Sequence, residues 1–310
     1  MRPLGSTPSA LNSEKAKWNF HLFYFNKNYN NRFPNAYREC GFRSNDISCL
    51  AAEFFMLISS LLIVCIAAFA AGFIDAIVGG GGLVQTPVLF MAFPNYSVAT
   101  LLGTTKLPSF LGTSVSLYHY AKWVTIQWRL VGFIAIAAFA AAMLGSHLVT
   151  KISNATFKPI ILVTLIIVAI YTYSKKNFGQ HKEKKLPFAS ALSRGLISGL
   201  LIGFYDGFIG PGTGSFLVLM FIGLLGHDFM HASAHAKTVN LATNLASIIY
   251  FISTGNILFE LAIPMAVCNM AGGFIGTRFA LLRGNQFIRI FFLCVVCGTI
   301  VRFGFDTFFK

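Results

Sequence analysis

Two carboxylic acids lie deep inside long apolar segments of this chain, and they occupy the same place in an internal repeat. A shift of 131 positions lays Gly72-Phe73-Ile74-Asp75 over Gly203-Phe204-Tyr205-Asp206, and the same shift lays Lys106 over Lys237. It needs no gap from Gly72 to Lys158, and it also matches Gly79 with Gly210, Gly81 with Gly212, Ser116 with Ser247, Gly145 with Gly276, and Lys158 with Arg289. Low-complexity apolar sequence readily produces chance matches among Ala, Leu and Gly. It does not readily align charges within hydrophobic runs. An ionisable group in hydrocarbon costs several kcal/mol unless it is paired or lines a wet cavity. The chain therefore reads as a duplicated membrane protein with a polar site inside it, and internal repeats of this kind are the usual build of secondary transporters.

Composition agrees. Of 310 residues, 55% are hydrophobic and 11% charged, where a soluble domain carries about 25% charged residues. A helix needs roughly 20 residues to cross the hydrocarbon core. The runs Glu53 to Val78, Val98 to Ala121, Arg129 to Val149 and Phe157 to Tyr173 reach or approach that length. Ser190 to Ile209, Phe229 to Ser253, Phe259 to Leu282 and Phe287 to Phe305 repeat the series. They are too continuously apolar for alternating barrel strands. The expected fold is an all-α polytopic membrane protein of about eight transmembrane helices in two four-helix repeats.

The excess of base (24 Lys+Arg against 10 Asp+Glu) does not point to nucleic acid, because the charges lie mostly between the spans. Residues 1–52 form a basic extension, expected to be disordered and cytoplasmic, and residues 175–189 a basic cytoplasmic linker between a first repeat, 53–174, and a second, 190–310. Cytoplasmic loops are enriched in Lys and Arg. Placing both basic segments on that side gives each half an even number of crossings, which makes the repeats parallel. The extension lacks a continuous apolar core and a cleavage site, so a secretory signal is not expected. The six cysteines show no disulfide framework, and Cys294 and Cys297 are read as packing residues.

Each half interrupts its first span with glycine: Gly79, Gly80, Gly81 and Gly82 in one, and Gly210-Pro211-Gly212-Thr213-Gly214 in the other. Glycine costs about 1 kcal/mol in a helix and proline about 3. The apolar segments that follow, Leu83 to Phe93 and Ser215 to Leu225, cover about 16 Å, half the core. Each is read as a half-helix whose N-terminus opens at the break. Free N–H groups and the positive dipole end make that terminus an anion site. The competing reading is tight helix packing through glycine. No Gly-Lys-Ser/Thr ending follows, so the run is not a nucleotide loop.

Lys106, Ser109, Thr113 and Ser116 recur along one helix face, and Lys237, Asn240, Asn244 and Ser247 repeat the spacing. Part of such a stripe reads as interhelical hydrogen-bond glue, and the buried lysines as groups that need an anion. The expected binding residues are Gly79 to Gly82, Lys106, Ser109, Gly210, Gly212, Thr213, Lys237, Asn240 and Asn244. Asp75 and Asp206, with His235 beside Lys237, are assigned to charge balance. Each Asp precedes a helix break, near the negative dipole end; either a lysine compensates it or it carries a proton. A structural Asp–Lys pair is the plain alternative. His227, His231 and His235 fall at four-residue steps without a Cys or Glu to join them, so no metal is expected. No catalytic signature appears and no cofactor is implied.

These motifs resemble the sulfite exporter TauE/SafE family, in the 4-toluene sulfonate uptake permease superfamily, and look closest to its bacterial subgroup of probable membrane transporters. The resemblance rests on Gly72-Phe-Ile-Asp-Ala-Ile-Val-Gly-Gly-Gly-Gly-Leu, Thr104-Thr-Lys-Leu, Gly203-Phe-Tyr-Asp-Gly-Phe-Ile-Gly-Pro-Gly-Thr-Gly-Ser and His235-Ala-Lys-Thr-Val-Asn-Leu-Ala-Thr-Asn. It covers about residues 54 to 305. It implies two four-helix repeats in the cytoplasmic (inner) membrane and transport of sulfur-containing or related organic anions, with Gly79 to Gly82, Lys106, Lys237 and Asn240 on the family's motif positions. The expected function is a secondary transporter of small anions by alternating access, with proton coupling and homo-oligomerisation left open. An anion channel and a non-transporting membrane scaffold are the alternatives, and an intramembrane enzyme is not expected.

Overall fold

The computed structural model describes residues 47–153, 157, 160, 163 and 186–283. The chain separates into two compact units, Met1–Leu57 and Ile58–Lys310; the described part of the first is the helical stretch 47–57. Eight helices and no strand appear among the described residues: α1 Ile47–Val78, α2 Gly82–Ala92, α3 Val98–Tyr120, α4 Trp128–Val149, α5 Phe188–Phe208, α6 Thr213–Gly223, α7 Phe229–Ser253 and α8 Phe259–Arg283. The expected spans Phe157 to Tyr173 and Phe287 to Phe305, the N-terminal extension and the central linker lie wholly or largely outside the described residues.

Four described segments are long and apolar enough to cross a membrane: Ile58–Ile77, Trp128–Val149, Phe188–Phe208 and Phe259–Ala280. Their outward faces carry exposed Leu62, Ile66, Ile136, Leu144, Ile197, Leu201 and Val267, the surface expected to meet lipid. Helices α3 and α7 are as long, 23 and 25 residues, but their polar stripes lower their hydropathy. They sit at the centre, packed against each other and against helices of both halves, so the polar groups face protein. The two halves are interlocked: α4 packs on α5 and α7, and α8 on α3. Equivalent glycines make close approaches in both halves. A Cβ on Gly203 would overlap the Ala138 carbonyl, and one on Gly72 the carbonyl of Asn269, its repeat equivalent.

Two apolar cores follow the same symmetry. One gathers Ile74, Leu83, Leu89, Phe90, Leu101 and Met265; the other gathers Ile134, Ala138, Leu217, Met220, Phe221 and Val239. Each wraps one half-helix, and Leu89-Phe90 and Met220-Phe221 are repeat partners. Both half-helices are 11 residues long and begin within two residues of the expected positions. Gly79 (φ 81°) and Gly210 (φ 90°) adopt the left-handed backbone that ends α1 and α5, a conformation that carries little cost for glycine alone.

Candidate substrate-binding site

The two glycine breaks meet back to back. A Cβ on Gly79 would strike Gly214, and a Cβ on Gly214 would strike Gly79. Beside this contact lies a cavity of about 40 Å³, room for a few waters or one compact ion. Its wall includes Asp75, Lys106, Ser109, Asp206, Asn240 and Asn244, with Gly79, Gly82, Gly210, Gly212 and Thr213 from the breaks. Eleven residues singled out in the sequence therefore converge from α1, α2, α3, α5, α6 and α7 and the breaks between them.

The long inner helices are capped by side chains. The Ser97 hydroxyl accepts from Thr100 N–H at 3.1 Å at the start of α3. Asp228, the repeat equivalent of Ser97, accepts from Met230 and His231 N–H at 2.8 and 3.1 Å at the start of α7. The half-helices start at Gly81 and Gly212 without a side-chain cap. Gly82 at the start of α2 and Gly212, Thr213 and Gly214 at the start of α6 line the cavity.

The lysines cap the opposite ends. Lys106 Nζ donates to the Asp206 carbonyl at 2.7 Å, and Lys237 Nζ donates to the Asp75 carbonyl at 2.7 Å. Each lysine thus places positive charge on the broken C-terminus of the other half, where the helix dipole favours a cation. The symmetry stops at the side chains. Lys106 also pairs with Asp206 Oδ1 at 3.0 Å, whereas Asp75 Oδ2 accepts from the Thr113 hydroxyl at 3.2 Å. Lys237 lies in a crevice beside the cavity with Asp75, Gly79, Gly214 and Asn240, its ammonium 5.4 Å from the centre of the Tyr120 ring.

Gly80, Gly81 and His235 are not in the cavity wall. A Cβ on Gly81 would meet the Ala71 carbonyl, so that glycine is needed for close packing. His235 is fully buried at the other end of the α7 stripe, where Nε2 accepts from Gln127 N–H at 3.2 Å. The equivalent bond in the other half runs from Leu258 N–H to the Thr104 hydroxyl, 3.0 Å. The expected glue is seen at the far end of the stripe, where Ser146 donates to Ser247 at 3.0 Å. No group of three potential metal ligands comes together among the described residues.

Thr86, Thr105 and Ile209 also line the cavity, and sequence reasoning missed them. Thr86 and Thr105 face Leu217 and Ala236 in the repeat alignment, so the duplication hid them. Gln85 is a further omission. It is 1% exposed, donates to the Thr105 carbonyl at 3.4 Å and accepts from Asn269 at 3.0 Å. A Gln in the middle of a half-helix was the available signal.

The model of the sulfite exporter TauE/SafE family matches residues 64–303. The chain belongs to this family. Curated relatives cover nearly the same stretch. A probable membrane transporter protein of Haemophilus influenzae is 36% identical over 233 residues, 75% of this chain and 89% of the relative. A Sinorhizobium protein of the same description is 34% identical over 240 residues, 76% of this chain and 89% of the relative. The probable membrane transporter protein YfcA of Escherichia coli is 32% identical over 226 residues, 72% and 81% respectively. No solved structure matches the chain. The matched region contains all of the residues that line the cavity.

Proposed function

We propose that this member of the TauE/SafE family is a secondary transporter of the inner membrane that moves a small anion by alternating access. The observation that carries this reading is the cavity where two uncapped half-helix N-termini and the Lys106 ammonium converge between the repeats. Helix N-termini favour anions through exposed N–H groups and the dipole. A protein interior strengthens that attraction relative to water. Ser109, Thr213, Asn240 and Asn244 add neutral hydrogen-bonding groups. The small volume favours a compact anion, and the family description makes sulfite and small sulfonates the first substrates to try. Lys237 is one step removed, in the crevice, where it balances Asp75. The two acids balance the lysines or carry a coupling proton.

The test is flux of radiolabelled sulfite and methanesulfonate in proteoliposomes, with and without a pH gradient. Saturable flux that follows the gradient, and falls tenfold or more in Lys106→Ala, is expected. That size follows from removing a charge-assisted partner worth about 1.5–3 kcal/mol. Non-saturable flux indifferent to any gradient would instead mark a channel, and unchanged flux in Lys106→Ala would remove the anion from this cavity.

A further inference from the structure

Lys106 and Lys237 make the same contact to backbone and different contacts to side chains. Only Lys106 reaches a carboxylate, Oδ1 of Asp206. Asp206 is 3% exposed, and its other oxygen, Oδ2, is buried with no hydrogen-bond partner among the described residues. In the first half the corresponding oxygen of Asp75 holds the Thr113 hydroxyl. The repeat equivalent of Thr113 is Asn244, and its amide donates to Asn240 Oδ1 at 3.1 Å instead. The Asp206 carboxylate therefore depends on the Lys106 ammonium, and both line the cavity.

We propose that Asp206 is the proton site of an anion–proton symporter. An arriving anion draws the Lys106 ammonium away from the carboxylate, and Asp206 binds a proton in the same event. This rests on reading the cavity as an anion site. A buried charge stripped of its partner is strongly destabilising. Asp75 keeps its Thr113 hydrogen bond when Lys106 moves, whereas Asp206 keeps nothing. Asp75 is the other carboxylate in the cavity wall, and it already holds the Thr113 hydroxyl. Lys106 reaches Asp206 from α3, and Asp75 faces the same cavity from α1. Tyr205 on α5 donates its hydroxyl to the Pro211 carbonyl, while Thr213, Asn240 and Asn244 from α6 and α7 are neutral. The proton comes from hydronium or a buffer acid in the surrounding water: one bond to hydrogen breaks in that donor, one O–H bond forms on Asp206, and the conjugate base stays in solution.

The experiment titrates the purified full-length protein with methanesulfonate, a non-titrating monoanion, in weak buffer with a pH indicator. Wild type should take up a proton for each anion bound. Asp206→Asn should bind without uptake, and Asp75→Asn should keep the uptake per anion bound. Binding without uptake in wild type would overturn the proton site and leave the anion site standing. Uptake that survives in Asp206→Asn would overturn the assignment. Failure of methanesulfonate, sulfite and thiosulfate to bind would overturn both readings. A ligand-free measurement stands beside it. Lys106→Gln, checked for folding by thermal unfolding, should show the infrared carbonyl stretch of a protonated carboxyl at neutral pH. Wild type and Lys106→Gln/Asp206→Asn should lack it. A folded Lys106→Gln protein without that band would overturn the proposal.

Discussion

At the scale of single residues, the lysines and acids of this chain show what a sequence can and cannot disclose. That two Lys and two Asp inside apolar helices belong to one polar site followed from the cost of leaving any of them in lipid. That each lysine serves the acid of the opposite half did not, because the repeat alignment pairs residues by descent and not by contact. The crosswise geometry separates the two lysines in place and in contacts. Lys106 lines the cavity and holds a carboxylate, while Lys237 holds a carbonyl from an adjacent crevice. Lys237→Ala should therefore act mainly on stability, measured by thermal unfolding, and Lys106→Ala mainly on transport. Equal losses of flux at equal stability would contradict this. Asp228 is a control outside the site. Burial acts to raise its carboxyl, but its hydrogen bonds and charge contact with His231, together with the Met230 N–H, hold it below its ordinary value. A depressed acid contributes stability that is complete above its unfolded value of about 4 and is lost as pH falls through the folded one. Asp228→Ala should cost about 1 kcal/mol of cap stability at neutral pH, a cost that shrinks in acid, with the KM for anion unmoved.

At the scale of elements, glycine runs and hydrophobic length placed both half-helices within two residues, because few other sequences both stop a span and start a short one. Their contact with each other was hidden, since two breaks in one chain carry no signal of distance. Gly79 combines a φ of 81° with a carbonyl lying where a Gly214 Cβ would go. Gly214→Ala should thus push the breaks apart and disturb the cavity, with a loss of about 1–3 kcal/mol and a sharper loss of flux. Thermal unfolding and proteoliposome transport report the two effects separately, and wild-type values for both would refute the contact. His235 is assigned to charge balance at the cavity because it lies two residues before Lys237 in sequence. On a helix that offset turns the side chain to another face, and its ring instead ties α7 to the N-cap of α4. Thr104 performs the same task in the other half with a hydroxyl. His235→Thr should then be tolerated, whereas His235→Leu leaves the Gln127 N–H unpaired at about 1–3 kcal/mol. Unfolding midpoints of the two variants decide the matter.

At the scale of the whole molecule, the repeats are not two domains placed side by side. The first half's α4 lies on the second half's α5 through Gly145, Gly203 and Gly207, and the second half's α8 lies on α1 through Gly72, Gly272 and Gly276. Helices α3 and α7 bridge the halves at the centre. Gly145 and Gly203 of one seam are the repeat equivalents of Gly276 and Gly72 of the other. The polar stripes are buried only because the other half covers them. A single repeat would expose Lys106 or Lys237 and a row of Ser, Thr and Asn to lipid, at several kcal/mol for each unsatisfied group. Neither half, 1–174 or 175–310, should therefore accumulate when expressed alone, whereas the two expressed together should co-purify and regain anion flux. Separate accumulation of one half as a stable, monodisperse protein would mean that its polar stripe finds partners within its own repeat, and the crosswise seams would lose their place as the basis of the fold.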